Sequence, residues 1–299
     1  MSTTRELFAL YSLLDDPQAS VQTAVRERIL VMGEDAVQGL RELTSVHGNL
    51  HQEVVRELIN EIRRSAALRR VGREFDGPEQ PVDLEEAAFI LAKFGFPEIN
   101  TAIYQRRLDD MAADIRVLAG GRAAPLDIFM KLRSYLFSDL GFIGNREDYY
   151  NPNNSYLNKV IDYRKGIPIT LSVLMLVLAH RLGIKLHGIG MPMHFLVQYD
   201  DGSRMFFVDA FNSGIIITRD QCRLMLSSSG IRLTPEMLTP VTIRDVIERM
   251  WRNLYLAYQQ QGEGEEAARV GEILSFINPD FKVNNTMDED PDDEEDEDF

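Results

Sequence analysis

The sequence contains very little cysteine, with Cys222 as the only thiol among 299 residues. A single thiol cannot form a disulfide within the chain, so the fold does not depend on an oxidising compartment. No apolar run reaches the length that spans a bilayer, and the first residues lack the basic start and long apolar stretch of a secretion signal. We therefore predict a cytoplasmic protein with no membrane association.

Basic residues are also scarce, with 32 Lys and Arg against 47 Asp and Glu. They are scattered and are not interleaved with aromatic residues, which argues against a nucleic-acid-binding surface. Many of the acids lie in the final segment, DEDPDDEEDEDF at 288–299, which has no basic residue. Because such a segment cannot bury apolar area and repels itself, residues 284–299 are predicted to form a disordered acidic tail. The tail is expected to aid solubility, with attraction of a basic partner as the alternative.

Signals for metals and cofactors are absent from the pattern of residues. His180, His187 and His194 do not show the H-x-x-x-H spacing of zinc ligands on a helix. The glycines at 188 and 190 lie in a predicted strand, not in a phosphate-binding loop before a helix. We predict neither a metal nor an organic cofactor.

The most informative stretch is a helix predicted over Pro168–Leu182, within GIPITLSVLMLVLAHRLG. Proline suits the first turn of a helix, and Gly183 suits the left-handed residue that follows the last turn. The helix is apolar on nearly every side, so it is expected to be buried among other elements. With about 15 residues it is shorter than the roughly 20 needed to cross a bilayer.

Three antiparallel strands are predicted after this helix, over 185–190, 194–199 and 204–211, with the turn at Asp201-Gly202 between the last two. His194 opens the second strand and Asp209 lies near the end of the third. This separation across a hairpin brings an imidazole and a carboxylate into hydrogen-bonding reach. A carboxylate that accepts from Nδ1–H would fix the tautomer of a general base, although a buried structural pair is the alternative.

Helices are predicted through most of the remaining chain, from hydrophobic periodicity and terminal signals. The helix over Ser155–Tyr163 is expected to be capped by Asn154 and ended by Gly166. A helix–break–helix unit after residue 241 resembles a single tetratricopeptide unit and is expected to pack on the core. The other predicted helices cover 3–14, 18–32, 35–46, 50–70, 84–94, 99–118, 125–136 and 218–226, with a linker at 72–81.

Two segments together resemble a known family. DYYNPNNSYLNKVIDYRKGIPITLS (148–172) and GMPMHFLVQY (190–199), with V-D-A after them, are similar to the SirB-type bacterial family. That family combines a transglutaminase-like core, part of the papain-like group, with tetratricopeptide-like helices; an F-box protein of animals shares the core. The resemblance covers roughly residues 84–282. It implies an α+β fold that is mostly helical, in which a central buried helix packs on a small antiparallel sheet.

This resemblance also divides the chain into four parts. The expected parts are an N-terminal helical, repeat-like cap, a transglutaminase-like core, a tetratricopeptide-like helical hairpin and the acidic tail. Their predicted bounds are 1–71, 82–240, 241–283 and 284–299.

The resemblance assigns the histidine and the aspartate of the family to His194 and Asp209. The nucleophilic cysteine has no counterpart, because its position falls on Pro168, between two isoleucines. Cys222 lies well beyond Asp209 and is expected to be an inert side chain on a short helix.

Hydroxyl groups near the missing cysteine are the remaining nucleophile candidates. Thr170 is two residues past the expected position, and Ser172 is two further along. Two residues rotate a side chain by about 200° around a helix, so neither is expected to face the histidine without a shift of register. A hydrogen bond to a helix carbonyl is the alternative role for both. Asn154, Pro168 and Ser172 are predicted to border the cleft.

The function predicted from these features is a non-catalytic, protein-binding or regulatory scaffold on a transglutaminase-like fold, a pseudoenzyme with an unidentified protein partner. The alternative is a hydrolase or acyltransferase for amide or peptide bonds, with His194 as base, Asp209 as orienting group and Thr170 as nucleophile. A third hypothesis is that the cleft binds a small regulatory molecule. The sequence predicts neither the oligomeric state nor the identity of the partner.

Overall fold

The structure is a computed structural model that describes residues 2–47, 50–74, 83–227 and 229–281. Two compact units make up the chain, and their bounds are Met1–Arg73 with Ile90–Ile99 and Glu74–Phe89 with Asn100–Phe299. The predicted linker at 72–81 falls outside the described residues from 75 onward, and so does the predicted acidic tail. No helix in the described ranges combines the length and apolar character needed to cross a bilayer.

The first unit is helical and has an apolar core of its own. Its helices are α1 (Ser2–Tyr11), α2 (Ala19–Met32), α3 (Glu34–Val46) and α4 (Gln52–Glu74). Ile29, Leu40 and Leu58 are fully buried in this core. The 90–99 segment is tied to the same unit by Glu98, which forms ion pairs with Arg41 and Arg63.

The second unit contains the remaining helices and both sheets. Helix α5 (Leu84–Gly95) contributes its first residues to this unit and its last ones to the first unit. The other helices are α6 (Thr101–Ala119), α7 (Pro125–Ser134), α8 (Leu157–Tyr163), α9 (Pro168–Leu182), α10 (Arg219–Ser227), α11 (Ile243–Gln260) and α12 (Gly264–Ile277). The strands are β1 (Ile143–Gly144), β2 (Lys165–Gly166), β3 (Leu186–Ile189), β4 (Leu196–Asp200), β5 (Met205–Asp209) and β6 (Ile215–Ile217). The predicted α+β, mostly helical class is confirmed.

Helix α9 is the centre of the second unit, as its composition predicts. It begins at Pro168 and ends before Gly183, which adopts the left-handed conformation at φ 73°. Helices α6, α7, α8 and α11 and strands β3 and β4 all contact it. Twelve of its fifteen residues are buried, so a nearly uniform apolar surface is covered from several directions.

Strands β3 to β6 form an antiparallel sheet in sequential order. The turn between β4 and β5 is the predicted one. There the Asp201 carboxylate accepts hydrogen bonds from the backbone N–H groups of Ser203 and Arg204, and Gly202 takes φ 81°. Strand β6 was not predicted, although its Ile-Ile-Ile run after Gly214 is a strand signal. It pairs with β5 and so extends the sheet beyond Asp209.

Helix α8 ends at Tyr163 as predicted but begins at Leu157, two residues later than predicted, and both residues expected to mark its ends have other roles. Asn154 does not cap this helix, because residues 152–155 form a separate 3₁₀ turn and Tyr156 occupies the N-terminal cap without a side-chain bond. Arg164 caps the end of the helix with a left-handed φ of 57° in place of the expected glycine. Gly166 lies in β2 instead, since the chain enters a short strand before α9.

The C-terminal hairpin of α11 and α12 packs on the core of the second unit, as predicted. Helix α11 begins with a capping box between Thr242 and Asp245. It contacts α9 and the 3₁₀ turn at 152–155, and the hydroxyls of Tyr258 and Tyr156 lie 2.6 Å apart in the buried interface. Two hydroxyls that satisfy each other can be buried at low cost in free energy.

Strands β1 and β2 form a short parallel pair that brings the loop after α7 to the start of α9. Gly144 pairs with Gly166, and its N–H donates to the Phe211 carbonyl at 3.2 Å. A Cβ at Gly144 would lie 2.4 Å from a ring carbon of Phe211 and 2.6 Å from that carbonyl oxygen. Only glycine permits this approach.

We expect Gly144→Ala to lower the free energy of unfolding by about 2 kcal/mol, since overpacking of a filled site costs about 1–3 kcal/mol. Chemical denaturation with a tryptophan fluorescence signal measures the change. Gly121→Ala is the control, because a Cβ there meets nothing within 4 Å. Equal stability of the two variants would contradict the proposed contact.

Candidate site at the His194–Asp209 pair

The sheet register places His194 and Asp209 on the same face. Val197 lies opposite Val208 in the β4–β5 pair, so Asp209 continues this register opposite Leu196. His194 is two residues before Leu196 and is therefore the diagonal neighbour of the aspartate. The histidine precedes the first residue of β4, where the predicted strand began two residues too early.

The two side chains are in close contact, as the hairpin predicts. Nε2 of His194 lies 2.9 Å from Oδ1 of Asp209, and the two side chains are 13% and 1% exposed. The carboxylate meets Nε2 and not the expected Nδ1. Within the described chain, Nε2 is buried and has no partner of hydrogen-bond geometry, so the contact is a close approach of imidazole and carboxylate that becomes an ion pair when the ring is protonated.

Asn212 and Arg146 extend this pair to the surface. The backbone N–H of Asn212 donates to Oδ1 of Asp209 at 3.0 Å, and its side-chain amide donates to Oδ2 at 2.5 Å. The exposed Arg146 in turn donates to the amide oxygen of Asn212. Asp209 thus accepts two hydrogen bonds from Asn212 in addition to its close contact with the histidine, which fixes its orientation.

The pKa of Asp209 is lowered by this network. Burial by itself raises the pKa and is the largest single effect. The contact with His194, the positive charge of its protonated ring and the two donors of Asn212 together outweigh burial. The carboxyl is therefore ionised at neutral pH.

Phe211 is the aromatic centre around which the site is built. The ring of His194 meets it edge-to-face at 6.3 Å between centroids, and that of Tyr149 does so at 5.9 Å. The Arg146 guanidinium lies 5.2 Å from the ring centroid. Phe211 lies just after the end of β5, and these contacts pack it against the loop after β1 that carries Arg146 and Tyr149.

The backbone is strained on either side of the pair. Met193, directly before the histidine, and Ser213, directly after Asn212, have φ of 58° and 56°. Residues other than glycine rarely adopt such angles, and in folded proteins they concentrate at binding and catalytic sites. The two strained residues therefore support a functional role for this region.

The start of α9 provides no accessible nucleophile. Ile167, Pro168 and Ile169 are apolar and buried. Thr170 and Ser172 are each 0% exposed, and their hydroxyls have no hydrogen-bond partner among the described residues. The expected bond to a helix carbonyl is therefore absent for both. Neither hydroxyl is bonded to His194.

Cys222 is buried in an apolar cluster with residues of β3 to β6 and α10. Burial raises the pKa of its thiol to about 11, and the negative charge of Asp209 adds to the shift. A thiol with this pKa is protonated at neutral pH, and only the thiolate is a good nucleophile. The side chain packs as the sequence predicts.

Asn154 organises the loop that borders the site. Its side-chain amide donates to the carbonyls of Asp148 and Tyr149 at 2.7 and 3.0 Å, and its oxygen accepts from Asn145 at 2.9 Å. The residue is 4% exposed. It therefore supports the loop from beneath, and Tyr149 and Tyr150 remain exposed on the outer side.

Comparison with known proteins identifies the core. The model of the transglutaminase-like superfamily matches residues 102–252. The chain belongs to this superfamily. An uncharacterised family protein, UPF0162 protein of Xylella fastidiosa strain Temecula1, is 30% identical over 210 residues, which cover 67% of this chain and 73% of that protein.

Two further relatives match shorter parts of the chain. UPF0162 protein of Vibrio cholerae is 30% identical over 158 residues, 52% of this chain and 57% of that protein. F-box only protein 21 of Homo sapiens is 33% identical over 135 residues, 42% of this chain and 21% of that protein. No solved structure matches the chain.

The parts of the transglutaminase-like site that the sequence reasoning missed are Asn212, Arg146 and Phe211. Asn212 had a local signal, because an Asx residue three positions after Asp209 at a strand end is typical of a turn. Arg146 and Phe211 had none. Arg146 reaches Phe211 because it lies in the loop after β1, and the course of that loop is set by tertiary packing.

We expect Asn154→Ala to lower the free energy of unfolding by about 1–3 kcal/mol, because it removes a buried amide and its three partly buried hydrogen bonds to Asn145, Asp148 and Tyr149. Denaturant titration measures the loss. Asn153→Ala is the matched control, since that neighbouring side chain is exposed; its effect should stay within about 0.5 kcal/mol. Equal losses in the two variants would refute the supporting role of Asn154.

The lowered pKa of Asp209 predicts a dependence of stability on pH. A carboxyl whose pKa is lower in the folded than in the unfolded state stabilises the fold above its unfolded pKa of about 3.9. This contribution is lost as pH falls from there through the folded value. As the pH falls, the free energy of unfolding of Asp209→Asn should therefore decrease less than that of the wild type. Unfolding curves measured between about pH 2 and 7 test this difference.

Asp110→Asn, at an exposed position of α6, is the control for that series. It should follow the wild-type pH profile. If Asp209→Asn also followed the wild-type profile at every pH, the charge of Asp209 would not contribute to folding.

Proposed function

We propose that this chain is a non-catalytic transglutaminase-like module that binds a segment of a partner protein on the surface beside His194, formed by Arg146, Tyr149 and Tyr150. In this proposal the His194–Asp209 pair supports that surface and carries out no bond cleavage.

The observation that carries the proposal is the composition of the first turn of α9. A nucleophile at this turn would gain from the positive end of the helix dipole, yet the position is taken by buried Ile167, Pro168 and Ile169. Thr170 is fully buried, and the only thiol is protonated within an apolar cluster. A histidine base without an accessible nucleophile supports a structural or binding role.

The surface beside the pair has the chemistry of a protein-binding site. Tyr149 and Tyr150 are 37% and 41% exposed and meet edge-to-face at 5.2 Å. Arg146 lies beside them over Phe211. Tyrosine and arginine are enriched among the residues that dominate binding energy at protein interfaces.

The distribution of relatives is in accord with a binding module. The region shared with F-box only protein 21 makes up 21% of that protein, so this core also occurs as a part of a larger chain. Proteins reuse one fold for unrelated tasks, so the transglutaminase-like core does not by itself argue for acyl transfer.

The alternative function is hydrolysis or acyl transfer at amide or peptide bonds with Thr170 as nucleophile. One observation favours it: the Thr170 hydroxyl lacks a hydrogen-bond partner in the part of the chain that the structure describes. A catalytic threonine would require α9 to expose its first turn, because the side chain is 0% exposed.

The proposal is tested by quantitative affinity purification of the full chain under several growth conditions. A specific partner should be retained by Thr170→Val, which removes the candidate nucleophile at nearly constant volume, and lost by the double variant Tyr149→Ala/Tyr150→Ala. Tyr163→Ala is the control, because this tyrosine is 63% exposed and belongs to α8. Truncation of two central aromatic residues should weaken the purified complex by about 2 kcal/mol or more, roughly 30-fold in Kd.

Two results would overturn the binding module. One is a partner that the double tyrosine variant retains with unchanged affinity. The other is covalent labelling of the wild type, but not of Thr170→Ala, by a probe directed at serine and threonine nucleophiles; this would establish the hydrolase instead. We expect no labelling at Thr170.

A further inference from the structure

A cavity of about 510 Å³ lies in the second unit, at the C-terminal end of α9. The His194–Asp209 pair belongs to the opposite end of that helix, where the loop after β1 meets its first turn. None of the site residues described above lines the cavity. The lining consists of Asp83, Leu84, Glu85, Leu176, Val177, His180, Ile184, Lys185, Leu186, His187, Gly188, Val241, Ile243 and Val246.

Most of the lining is aliphatic, contributed by α9, β3 and the start of α11. The volume falls within the roughly 300–1,000 Å³ that small-molecule sites occupy. Ile243 remains 44% exposed, although it begins a helix whose other apolar residues are mostly buried. An apolar ligand part in this cavity would remove such side chains from water.

The two acidic groups at the rim are already engaged. Glu85 forms a bidentate ion pair with Arg181, and each side chain is 16% exposed. Asp83 caps the start of α5 through a 2.8 Å bond from the Glu86 N–H to its carboxylate. Neither acid is therefore available as the main contact for a cationic ligand.

Unlike the two acids, the basic groups of the rim are not engaged in ion pairs among the described residues. Lys185 is exposed and has no ion pair among the described residues, and His180 is likewise unpaired. The pKa of His187 is lowered, first by burial and then by the charge of Lys185, and these effects outweigh the opposing charge of Asp200. One lysine and two histidines thus belong to a lining that is otherwise mostly aliphatic.

We propose that this cavity binds a small amphipathic carboxylate, with its apolar tail among Leu176, Val177 and Val246 and its carboxylate at Lys185 and His187. The site shares no lining residue with the surface beside His194. A charge-assisted contact orients the ligand at the rim, while burial of the tail provides most of the affinity.

The charges at the rim favour a carboxylate over a phosphate. A single lysine without a neighbouring free arginine suits a monoanion, since phosphate sites use bidentate arginine or loops of backbone N–H groups. The carboxylates of Asp83 and Glu85 border the same rim and would repel a dianion more strongly than a monoanion.

The test is calorimetric titration of the full chain with hexanoate, octanoate and decanoate below their micellar concentrations. Each added methylene should tighten binding by about fourfold while the tail still fits. Octanoate should bind more tightly than octanol and octyl phosphate. NMR signals of His187 and Ile243 should shift on binding, which places the ligand.

Lys185→Met should weaken octanoate binding about fivefold and leave octanol binding unchanged. Lys131→Met is the matched control, because this exposed lysine lies on α7 outside the cavity. Ile243→Trp should fill the entrance and abolish binding of both compounds.

Four outcomes would overturn the proposal. They are no binding at millimolar concentration, equal affinity for octanoate and octanol, tighter binding of octyl phosphate, and equal weakening by the two lysine substitutions. Thermal unfolding of each variant identifies any that fails to fold. Binding that persists in a folded Ile243→Trp variant would place the ligand elsewhere on the protein.

Discussion

The constraint on which the second unit depends is the burial of α9. A helix of fifteen residues with only four polar or ionisable side chains must be covered on all sides if its apolar surface is to leave water. Helices α6, α7, α8 and α11 and the β3–β4 face meet this requirement together. Loss of any one of them would expose part of the helix, so the elements of this unit depend on one another for their stability.

The same helix separates two functional candidates. Its first turn lies where the loop after β1, the end of β5 and Phe211 come together, and its last turn lies at the rim of the cavity. Gly144 and Gly166 permit the close approach at the first end, while Gly183 turns the chain toward β3 at the other. A rigid central element thus holds both regions while their surface residues are free to differ in chemistry.

The His194–Asp209 pair has a structural role that does not depend on catalysis. Removal of either member would leave a buried polar or charged group without its partner, which is strongly destabilising. Asn212 and Arg146 connect the pair to the loop that carries Tyr149 and Tyr150. The pair therefore remains useful to the fold as the support of a loop, whether or not a reaction takes place beside it.

Prediction from the sequence succeeded where the cause was local. Alternating strand residues and the Asp201-Gly202 turn fixed which side chains share a sheet face, and so His194 was correctly placed beside Asp209. It failed for Asn154, which was expected to cap α8. The capping pattern was present, but the 3₁₀ turn at 152–155 rotates this amide toward the loop carbonyls.

The sequence by itself thus determined the buried helix, the order of the main strands and the histidine–aspartate pair, because all three follow from periodicity and turn chemistry over short distances. Tertiary structure alone decided which imidazole nitrogen meets Asp209, which groups hold that carboxylate and where a cavity forms. These depend on contacts between segments far apart in the chain. Arg146 and Asn212 are an example, since packing of the loop after β1 against Phe211 brings them together.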